Sequence, residues 1–411
     1  MTFETINLNK HLKKALKENS FTQATPIQTK VIPIILNGDD VMARSQTGSG
    51  KTASFVLPIL NMLMEQKPNE NGKKQKIKVL VLTPTRELTL QVAKIFSIMS
   101  AFMTYTPKVV SVIGGEEIGG QLLSIQKGCE IVVATSGRLL DIMDKKQIDL
   151  SGVEYFVLDE ADKMLDLGFS EELDQILEVL PLKRQNLLFS ATYPPKMLSI
   201  ANKITNSAIE VTIDDEKPTV ENITQRAISV NRENRSAMLR ELIKKNRWSK
   251  VLVFMANKRA SDNIAQKFRK HGLQAESFHG DLTQEDRNYT LEDFKNKKIR
   301  ILFATDIASR GLHIDEIDCV INFDLPRGVD DYIHRIGRTG RAGKNGVAIS
   351  FIGHEDLEHF GLIEKKCKLD IKKEQIAGFE LTGKAIEKVK GQAPVKGKRK
   401  SKKDKLREKK E

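Results

Sequence analysis

Short, nearly unbroken apolar runs alternate with longer helical patterns along most of the 411-residue chain. Such runs are typical of buried parallel strands, because both faces of a parallel sheet are covered by helices. The stretches between them are long enough for crossover helices, so the sequence predicts α/β domains with helices on both sheet faces. The predicted strands are 41–43, 79–82, 109–113, 131–134, 155–158, 187–190, 251–255, 300–304, 319–323 and 347–351.

An acidic, polar stretch that contains Pro218 interrupts this alternation and divides the chain into two domains of similar design. We expect a first domain at 1–213, a linker at 214–222, a second domain at 223–370 and a basic, disordered tail at 371–411. The chain carries a net charge of +13, and residues 384–411 alone hold 13 Lys/Arg against 4 Asp/Glu. That segment has no aromatic residue to support a core, so it is predicted to bind a polyanion such as nucleic acid, with a pure solubility role as the alternative.

Several classes of protein are excluded by the composition. No apolar run approaches the roughly 18 residues of a membrane-spanning helix, so no membrane partner is expected. The N-terminus has neither a basic start nor an apolar signal core. The three cysteines, Cys129, Cys319 and Cys367, are far apart and indicate unpaired thiols in a reducing compartment, not a disulfide framework or a zinc site. We therefore predict a cytoplasmic protein.

Residues 45–52 read Ser-Gln-Thr-Gly-Ser-Gly-Lys-Thr, between a short apolar run and a helical pattern. Backbone N–H groups of such a loop cradle phosphates at a helix N-terminus. Lys51 is expected to reach the β- and γ-phosphates of ATP, and the Thr52 hydroxyl to bind Mg²⁺. The alternative is a chance occurrence in a flexible loop. The other residues predicted to contact the phosphates are Ser45, Gln46, Thr47, Gly48, Ser49 and Gly50.

A second acidic motif, Asp159-Glu160-Ala161-Asp162, directly follows a predicted strand. Adjacent carboxylates at a strand end point in different directions and can take separate roles. Asp159 can hold Mg²⁺ while Glu160 activates the attacking water. The alternative is an acidic cluster that caps the next helix, and the presence of a phosphate loop in the same chain argues against it. Together the two motifs predict an ATPase.

Further motifs point to one class of ATPase. The stretch 21–28 offers Gln28, whose amide can pair with adenine, and Phe21, whose ring can stack on it. Downstream come Pro-Thr-Arg-Glu-Leu at 84–88, Gly-Gly at 114–115, Thr-Ser-Gly-Arg at 135–138, Ser-Ala-Thr at 190–192, Ala-Thr-Asp at 304–306, Ser-Arg-Gly at 309–311 and His-Arg-Ile-Gly-Arg-Thr-Gly-Arg at 334–341. In this order and spacing the chain resembles the DEAD-box ATP-dependent RNA helicases. With its short N-terminal flank and basic tail, it is most similar to the bacterial RhlE-like subgroup.

The resemblance implies two tandem RecA-like domains and a role for each motif. Phe3, Phe21, Thr25 and Gln28 would recognise adenine. Asp162, Ser190, Thr192 and His334 would couple hydrolysis to strand separation, and Arg338 and Arg341 would be arginine fingers. The residues placed on the RNA backbone track are Pro84, Thr85, Arg86, Gly114, Gly115, Thr135, Arg138, His279, Gly280, Gln284, Arg287, Thr305, Arg310 and Gly311.

Four positions depart from the family pattern. Ser45 stands where Ala or Gly is usual, and Ala24 and Ser136 each replace a common Pro. His313 replaces a common Asp at a position expected to approach the nucleotide ribose. That substitution exchanges an acceptor-only carboxylate for a group that can donate, so it is expected to change nucleotide affinity or its pH dependence.

The resemblance implies that the two domains close on ATP and RNA together, with little base specificity because backbone contacts dominate. Two other classes stay open at this stage: a DNA-directed helicase or translocase, and an ATP-controlled clamp on RNA. Ribosomal precursors and the RNA-decay machinery are candidate partners. The RNA target, the pathway (ribosome assembly, mRNA decay or cold adaptation) and the oligomeric state are not encoded in these motifs.

Overall fold

A computed structural model of the protein describes residues 2–45, 48–66, 75–213, 223–309, 317–340 and 345–383. Two seven-stranded sheets account for the strands of these ranges, and all strand pairs within them are parallel. The predicted linker and residues 384–411 lie outside the described residues. So do six site candidates, Gln46, Thr47, Arg310, Gly311, His313 and Arg341.

The first sheet has the strand order β3-β4-β2-β5-β6-β1-β7. Its strands are β1 Val41–Arg44, β2 Val79–Leu82, β3 Val109–Val112, β4 Ile131–Ala134, β5 Tyr155–Leu158, β6 Gln185–Ser190 and β7 Ile209–Thr212. Its helices are α1 Lys10–Glu18, α2 Pro26–Leu36, α3 Lys51–Glu65, α4 Arg86–Ser100, α5 Ile118–Gln126, α6 Ser136–Asp144, α7 Ala161–Asp166, α8 Ser170–Val179 and α9 Pro195–Ile204.

Alternate residues of a central strand enter two different core clusters. Val79 and Val81 of β2 belong to the cluster on one face, whereas Leu80 and Leu82 belong to the cluster on the other. Both faces of the sheet are therefore covered by core residues and excluded from solvent, which explains why the sequence of this strand is continuously apolar.

The second sheet has the order β10-β11-β9-β12-β13-β8-β14. Its strands are β8 Ile223–Ser229, β9 Val251–Met255, β10 Ala275–Phe278, β11 Ile301–Thr305, β12 Cys319–Asn322, β13 Gly346–Ile352 and β14 Lys373–Glu374. Its helices are α10 Arg235–Asn246, α11 Lys258–Lys270, α12 Gln284–Lys295, α13 Asp306–Ser309, α14 Val329–Ile336 and α15 Leu357–Cys367. The predicted fold class, two α/β domains with parallel sheets, is confirmed.

Every predicted strand is present, with ends that differ by at most two residues from the prediction. Four strands were not predicted: β7, β8, β10 and β14. They lie at or next to the margins of the two sheets and mix polar with apolar residues, as in the Ala-Glu-Ser-Phe sequence of β10. A strand at a sheet margin is less fully buried, so it does not produce a continuous apolar run.

The end of the second domain differs from the prediction. The sequence predicts that the tail begins at residue 371, but β14 pairs with β8, and Ile376 and Phe379 pack against the second domain's core. The Glu374 carboxylate accepts two hydrogen bonds from Arg226, at 3.0 and 2.6 Å. A few apolar residues and one bidentate ion pair are thus enough to hold this polar segment on the sheet, and the ordered domain continues to residue 383.

Candidate functional site

The phosphate loop joins β1 to α3 and is connected to the predicted adenine motif. Gly50 has a φ of +96°, and a Cβ there would lie 2.5 Å from Nε2 of Gln28 and 2.9 Å from Oγ1 of Thr25. The Gln28 side chain donates from Nε2 to the Gly50 carbonyl at 3.2 Å, while its Oε1 accepts from the Thr25 N–H at 2.9 Å. Only glycine combines this backbone conformation with so close an approach. The loop and the adenine motif therefore form one unit.

Lys51 begins α3 and is buried within the site. Its ammonium group donates to the Ser45 carbonyl at 2.6 Å, and the Ser45 and Ser49 hydroxyls lie 2.6 Å apart. Burial lowers the pKa of Lys51, and the neighbouring carboxylates of Asp159 and Glu160 act in the opposite direction. A buried ammonium at a helix N-terminus fits an anionic ligand such as a phosphate group.

Asp159 is buried at the end of β5. Burial, reinforced by the adjacent Glu160 carboxylate, raises the pKa of Asp159 to about 7. One of its oxygens accepts from the Glu160 N–H at 2.9 Å. A cation beside this carboxylate would stabilise its ionised form, and oxygen ligands such as Asp159 and the Thr52 hydroxyl are those that Mg²⁺ prefers. The residues present therefore fit a magnesium ion.

Glu160 has a left-handed backbone conformation, with a φ of +51° that is uncommon for a residue other than glycine. Its Oε1 pairs with the Lys163 ammonium at 2.7 Å, while Oε2 is buried and has no hydrogen-bond partner among the described residues. Burial alone would raise the pKa of Glu160, but Lys163, Lys51 and Arg338 outweigh it, so the pKa is lowered. One oxygen of the Glu160 carboxylate is thus left to accept a further hydrogen bond.

Asp162, Ser190 and Thr192 form a closed hydrogen-bond network. One Asp162 carboxylate oxygen accepts from the Thr192 N–H at 3.0 Å and from its hydroxyl at 3.1 Å. The Ser190 hydroxyl accepts from the Asp162 N–H at 3.2 Å and donates to the Thr192 carbonyl at 2.7 Å. The acidic motif after β5 and the polar motif after β6 are therefore joined directly.

The second domain contributes two side chains to this acidic motif. Arg338 is buried, and its positive charge is one cause of the lowered pKa of Glu160. Burial, followed by the charge of Lys163, lowers the pKa of His334 on α14, with Asp162 acting in the opposite direction. His334 and Arg338 therefore face Asp162 and Glu160 across the domain boundary. Arg341 lies outside the described residues.

Most predicted RNA-track residues line one cavity of about 600 Å³ between the two domains. The predicted residues in its wall are Pro84, Thr85, Arg86, Gly114, Gly115, Thr135, Arg138, Gly280 and Arg287.

Two arginines of the first domain lie close to backbone groups in the wall of this cavity. Gly115 has a φ of +79°, and a Cβ there would collide with the Arg86 guanidinium. Arg138 donates two hydrogen bonds to the Glu116 carbonyl, both at 3.1 Å. Burial and the nearby Arg287 charge lower the pKa of Arg86. Several guanidinium groups that crowd together in this way fit an anionic ligand, such as a phosphate backbone.

Three predicted RNA contacts are absent from the cavity wall. His279, Gln284 and Thr305 are 5%, 2% and 9% exposed and lie behind it. His279 Nε2 lies 2.8 Å from the Asp262 carboxylate, while its Nδ1 and the Gln284 Oε1 have no hydrogen-bond partner among the described residues. These side chains support the cavity in this conformation and do not form its surface.

Arg287 has contacts that the sequence did not indicate. Its Nε donates to the Glu87 carboxylate of the first domain at 2.5 Å, and both side chains are buried, at 5% and 8% exposure. A second nitrogen donates to the His279 carbonyl at 3.0 Å, and the guanidinium lies 4.4 Å from the ring centre of Phe278. Arg287 therefore joins the two domains beside the RNA cavity.

Other residues of the site were missed although they stand inside the quoted motifs. Glu87 follows Arg86, and Lys163 follows Asp162. Arg335 follows His334 and donates to both carboxylate oxygens of Asp306, at 2.6 and 2.7 Å. Their position within the motifs is the only sequence signal for these residues, because no spacing rule shows which carboxylate an arginine will bind.

Phe3 is not exposed to the nucleotide site. It is 4% exposed in the first domain's core, against which Phe21 also packs. A β-bridge between Thr2 and Gln23 ties the N-terminal segment to the stretch that precedes Thr25. Phe3 thus anchors the adenine motif from behind, and Phe21 is the more accessible of the two rings.

Comparisons with known proteins match this geometry. The DEAD/DEAH box helicase family model matches residues 25–200, and the model of the helicase conserved C-terminal domain matches 234–343. The DEAD-box ATP-dependent RNA helicase CshA of Bacillus subtilis (strain 168) is 38% identical over 385 residues, covering 93% of this chain and 76% of CshA. The ATP-dependent RNA helicase RhlB of Pseudomonas syringae pv. tomato is 40% identical over 367 residues, covering 89% of this chain and 92% of RhlB.

A solved structure extends the similarity to the whole two-domain arrangement. S. cerevisiae Dbp5 bound to RNA and ADP BeF3 superposes with a TM-score of 0.79 at 29% sequence identity, covering 91% of this chain and 95% of Dbp5. Within the described residues, none of the helices is both long and apolar enough to span a membrane.

Proposed function

The chain belongs to the DEAD-box family of ATP-dependent RNA helicases, and from that premise we propose how its residues divide the reaction between two domains. The protein hydrolyses ATP and locally unwinds or remodels RNA. The observation that carries the proposed division is the position of Arg338, a second-domain residue whose charge acts on Glu160 of the first domain. The site for hydrolysis is therefore complete only when the domains are closed.

The first domain binds the nucleotide. Phe21, Thr25 and Gln28 take the adenine, and Phe3 supports them from the core. The backbone of residues 45–50 holds the phosphates at the N-terminus of α3, with Lys51 on the β- and γ-phosphates. Thr52 and Asp159 hold Mg²⁺, which supplies charge neutralisation at the phosphates. His313 is assigned to the ribose on the family resemblance alone.

Glu160 acts as the base for the attacking water. Its lowered pKa keeps it ionised at neutral pH, so it can accept the water proton as the oxygen bonds to the γ-phosphorus. The bond between the γ-phosphorus and the bridging oxygen then breaks, and ADP leaves with that oxygen. Arg338 and Arg341 stabilise the charge that develops on the transferred group.

The network of Asp162, Ser190 and Thr192 transmits the state of the nucleotide to the rest of the first domain. The network includes Asp162 in the short helix α7, which directly follows Glu160, so a shift at Glu160 alters the bonds to Thr192. His334 completes the coupling because it faces Asp162 only in the closed arrangement.

RNA lies across both domains in the cavity between them. Thr85, Arg86, Gly115 and Arg138 contact its backbone from the first domain, with Gly280, Arg310 and Gly311 on the other side. Contacts of this kind position a strand without reading its bases. Because the same cavity is formed by both domains, RNA favours closure and thereby stimulates hydrolysis.

The domain limits, the subgroup, the location and the partners of the protein also belong to this proposal. We place the first domain at 1–213, the linker at 214–222, the second domain at 223–383 and the basic tail at 384–411. The basic tail supports the RhlE-like subgroup, although the relatives compared above carry the names CshA and RhlB. A cytoplasmic location agrees with the reduced state expected of three unpaired cysteines. Ribosomal precursors and the RNA-decay machinery are the proposed partners.

A strand-separation assay on matched RNA and DNA duplexes tests the function. We expect ATP-dependent separation of duplexes that carry an RNA strand, and little separation of the all-DNA duplex. Equal activity on both would favour a DNA-directed translocase. RNA binding that depends on ATP without any hydrolysis would instead favour a clamp, which would not need Glu160 and Arg338.

A further inference from the structure

Three short segments of the second domain contain several basic residues each and no acidic residue. Residues 244–250, 267–271 and 295–300 together contain 11 Lys/Arg and no Asp/Glu. Three of these basic side chains in each segment are exposed to solvent. None of them belongs to the nucleotide site or the RNA cavity described above.

The three segments lie side by side. They precede β9, β10 and β11, which are neighbours in the sheet, and the strands start level because Ala275 pairs with Ile301 and Ile301 pairs with Val251. Neighbouring strands are about 4.8 Å apart, so the segments span about 10 Å. Arg300 connects two of them, donating to the carbonyls of Trp248 and Ile243. We call this region the amino-edge basic surface.

Few carboxylates neutralise this surface. One of them, Asp318, accepts hydrogen bonds from the Ser249 N–H at 2.7 Å, the Ser249 hydroxyl at 2.8 Å and the Lys250 N–H at 3.0 Å. Arg269 pairs with Glu276 at 2.6 Å, and Lys298 pairs with Asp293 at 3.1 Å. Among the described residues, no carboxylate lies within 4.0 Å of the other seven exposed cations. Charges this close are within one Debye length of each other, about 8–10 Å at physiological salt, so they attract a polyanion together.

Helix dipoles do not explain the accumulation of charge. Lysines favour the C-terminal turns of helices, and Lys244, Lys270 and Lys295 occupy such turns. The first sheet has the same architecture, but its amino edge carries acidic residues between its helices and strands, among them Asp40 and Glu130. The dipoles are the same in both domains, whereas three adjacent segments that hold basic residues and no acidic residue occur only before strands of the second sheet.

We propose that the amino-edge basic surface binds the phosphate backbone of an RNA segment outside the cavity, an inference that rests on the proposed function. The cavity lies at the opposite ends of the same strands, about 15 Å away at about 3.3 Å per residue. Exposed Glu285, Asp286 and Glu292 on α12 separate the two regions and would repel a strand running between them. The surface therefore takes a second segment of a folded RNA while the cavity holds a single strand.

The test compares two RNAs in the full chain. One is a short single strand that fills only the cavity, and the other carries the same strand next to a long hairpin. The variant replaces four lysines of the surface by glutamine. The control replaces by glutamine four exposed lysines at helix C-termini of the first domain. Both variants then lose the same number of favourable interactions with helix dipoles. The test positions are Lys244, Lys245, Lys270 and Lys295, and the control positions are Lys17, Lys127, Lys145 and Lys203.

With the hairpin RNA, the slope of log affinity against log salt should fall by about two to four units in the test variant, because each duplex phosphate contributes about 0.9. The control should keep the slope of the unchanged chain to within about one unit, since its lysines contact no RNA. Affinity for the short strand and the turnover that it stimulates should remain unchanged in both variants. Arginine at the four test positions should restore the slope, since the positive charge is retained.

Trp248, the only tryptophan of the chain, gives an independent readout because it lies within the surface. Its fluorescence should respond to the hairpin RNA and not to the short strand. The inference is overturned if the test variant keeps the unchanged slope, if the control loses as much, or if both RNAs lose affinity equally. A failure of the proposed function would show separately, as an absence of turnover stimulated by the short strand in the unchanged chain.

Discussion

Arg287 of the second domain donates a 2.5 Å hydrogen bond to the carboxylate of Glu87 in the first domain, and the pair is buried in the wall of the RNA cavity. The family resemblance places Arg287 on the RNA backbone track. The structure instead engages it with Glu87, the His279 carbonyl and the Phe278 ring. RNA in the cavity would enclose this pair further, which strengthens the ion pair by excluding water. The pair therefore links RNA binding to domain closure.

Glu87→Gln distinguishes this role from direct RNA binding. If the pair stabilises closure, losing one buried charge should cost about 2–5 kcal/mol of closed-state stability, and the RNA concentration for half-maximal ATPase should rise at least about tenfold. If Arg287 served only RNA, its release from Glu87 should lower that concentration. A titration of ATP turnover with RNA shows whether the half-maximal RNA concentration rises or falls, and so distinguishes the two roles. Exchanging the residues, Glu87→Arg with Arg287→Glu, should recover part of the loss.

Asp159 predicts a pH dependence of magnesium and nucleotide binding. Its pKa is raised to about 7 by burial and by Glu160, so the free protein is largely protonated there below pH 7. A metal ligand must be ionised, and binding of Mg²⁺ and ATP should therefore weaken as the pH falls below about 7, by up to about tenfold per unit. Calorimetric titrations from pH 6 to 8 measure this. Asp159→Asn should bind more weakly and lose the pH dependence; a pH-independent affinity in the unchanged chain would contradict the role.

Glu160→Gln tests the base. The amide keeps the shape of the side chain but cannot accept the water proton, so turnover should fall by about 10²–10⁴-fold while ATP binding persists. Pre-steady-state phosphate release and a nucleotide-binding titration measure the two effects separately. Near-normal turnover would remove Glu160 from this role.

Arg338→Ala tests the contribution of the second domain. Loss of an arginine finger should reduce RNA-stimulated hydrolysis by about 10³-fold or more, with little change in ATP affinity, since the first domain holds the nucleotide. Arg327→Ala is a suitable control, because this arginine is exposed in the same domain. A comparable loss in both variants would show a general effect on the domain and not a finger.

Continuous apolar runs made most of the fold predictable. The sequence of β2, Val-Leu-Val-Leu, is covered on both faces, and this property is visible without any knowledge of its neighbours. Marginal strands such as β10 and β14 were missed because their pairing depends on adjacent strands that sequence spacing does not reveal. The short strand β14 is retained by Arg226, which lies 148 positions from its partner Glu374.

The candidate site was predictable only at the level of motifs. Lys51, Asp159 and Glu160 carry chemistry that follows from residue type and from a position directly after a strand. The pairing of Arg287 with Glu87 spans 200 positions and two domains, and local sequence holds no signal for it. Likewise, Phe3 matches a family position, but only the structure shows that its ring is buried in the core.

Turnover by the isolated first domain tests the central claim, which is that hydrolysis requires residues from both domains. Residues 1–213 contain the phosphate loop, Asp159, Glu160 and both core clusters of the first sheet, so this fragment should fold and bind nucleotide. It lacks Arg338, and half of the RNA cavity is missing. ATP turnover should therefore show no stimulation by RNA, whereas the full chain should be stimulated strongly. RNA-stimulated turnover by the fragment at the rate of the full chain would contradict the account.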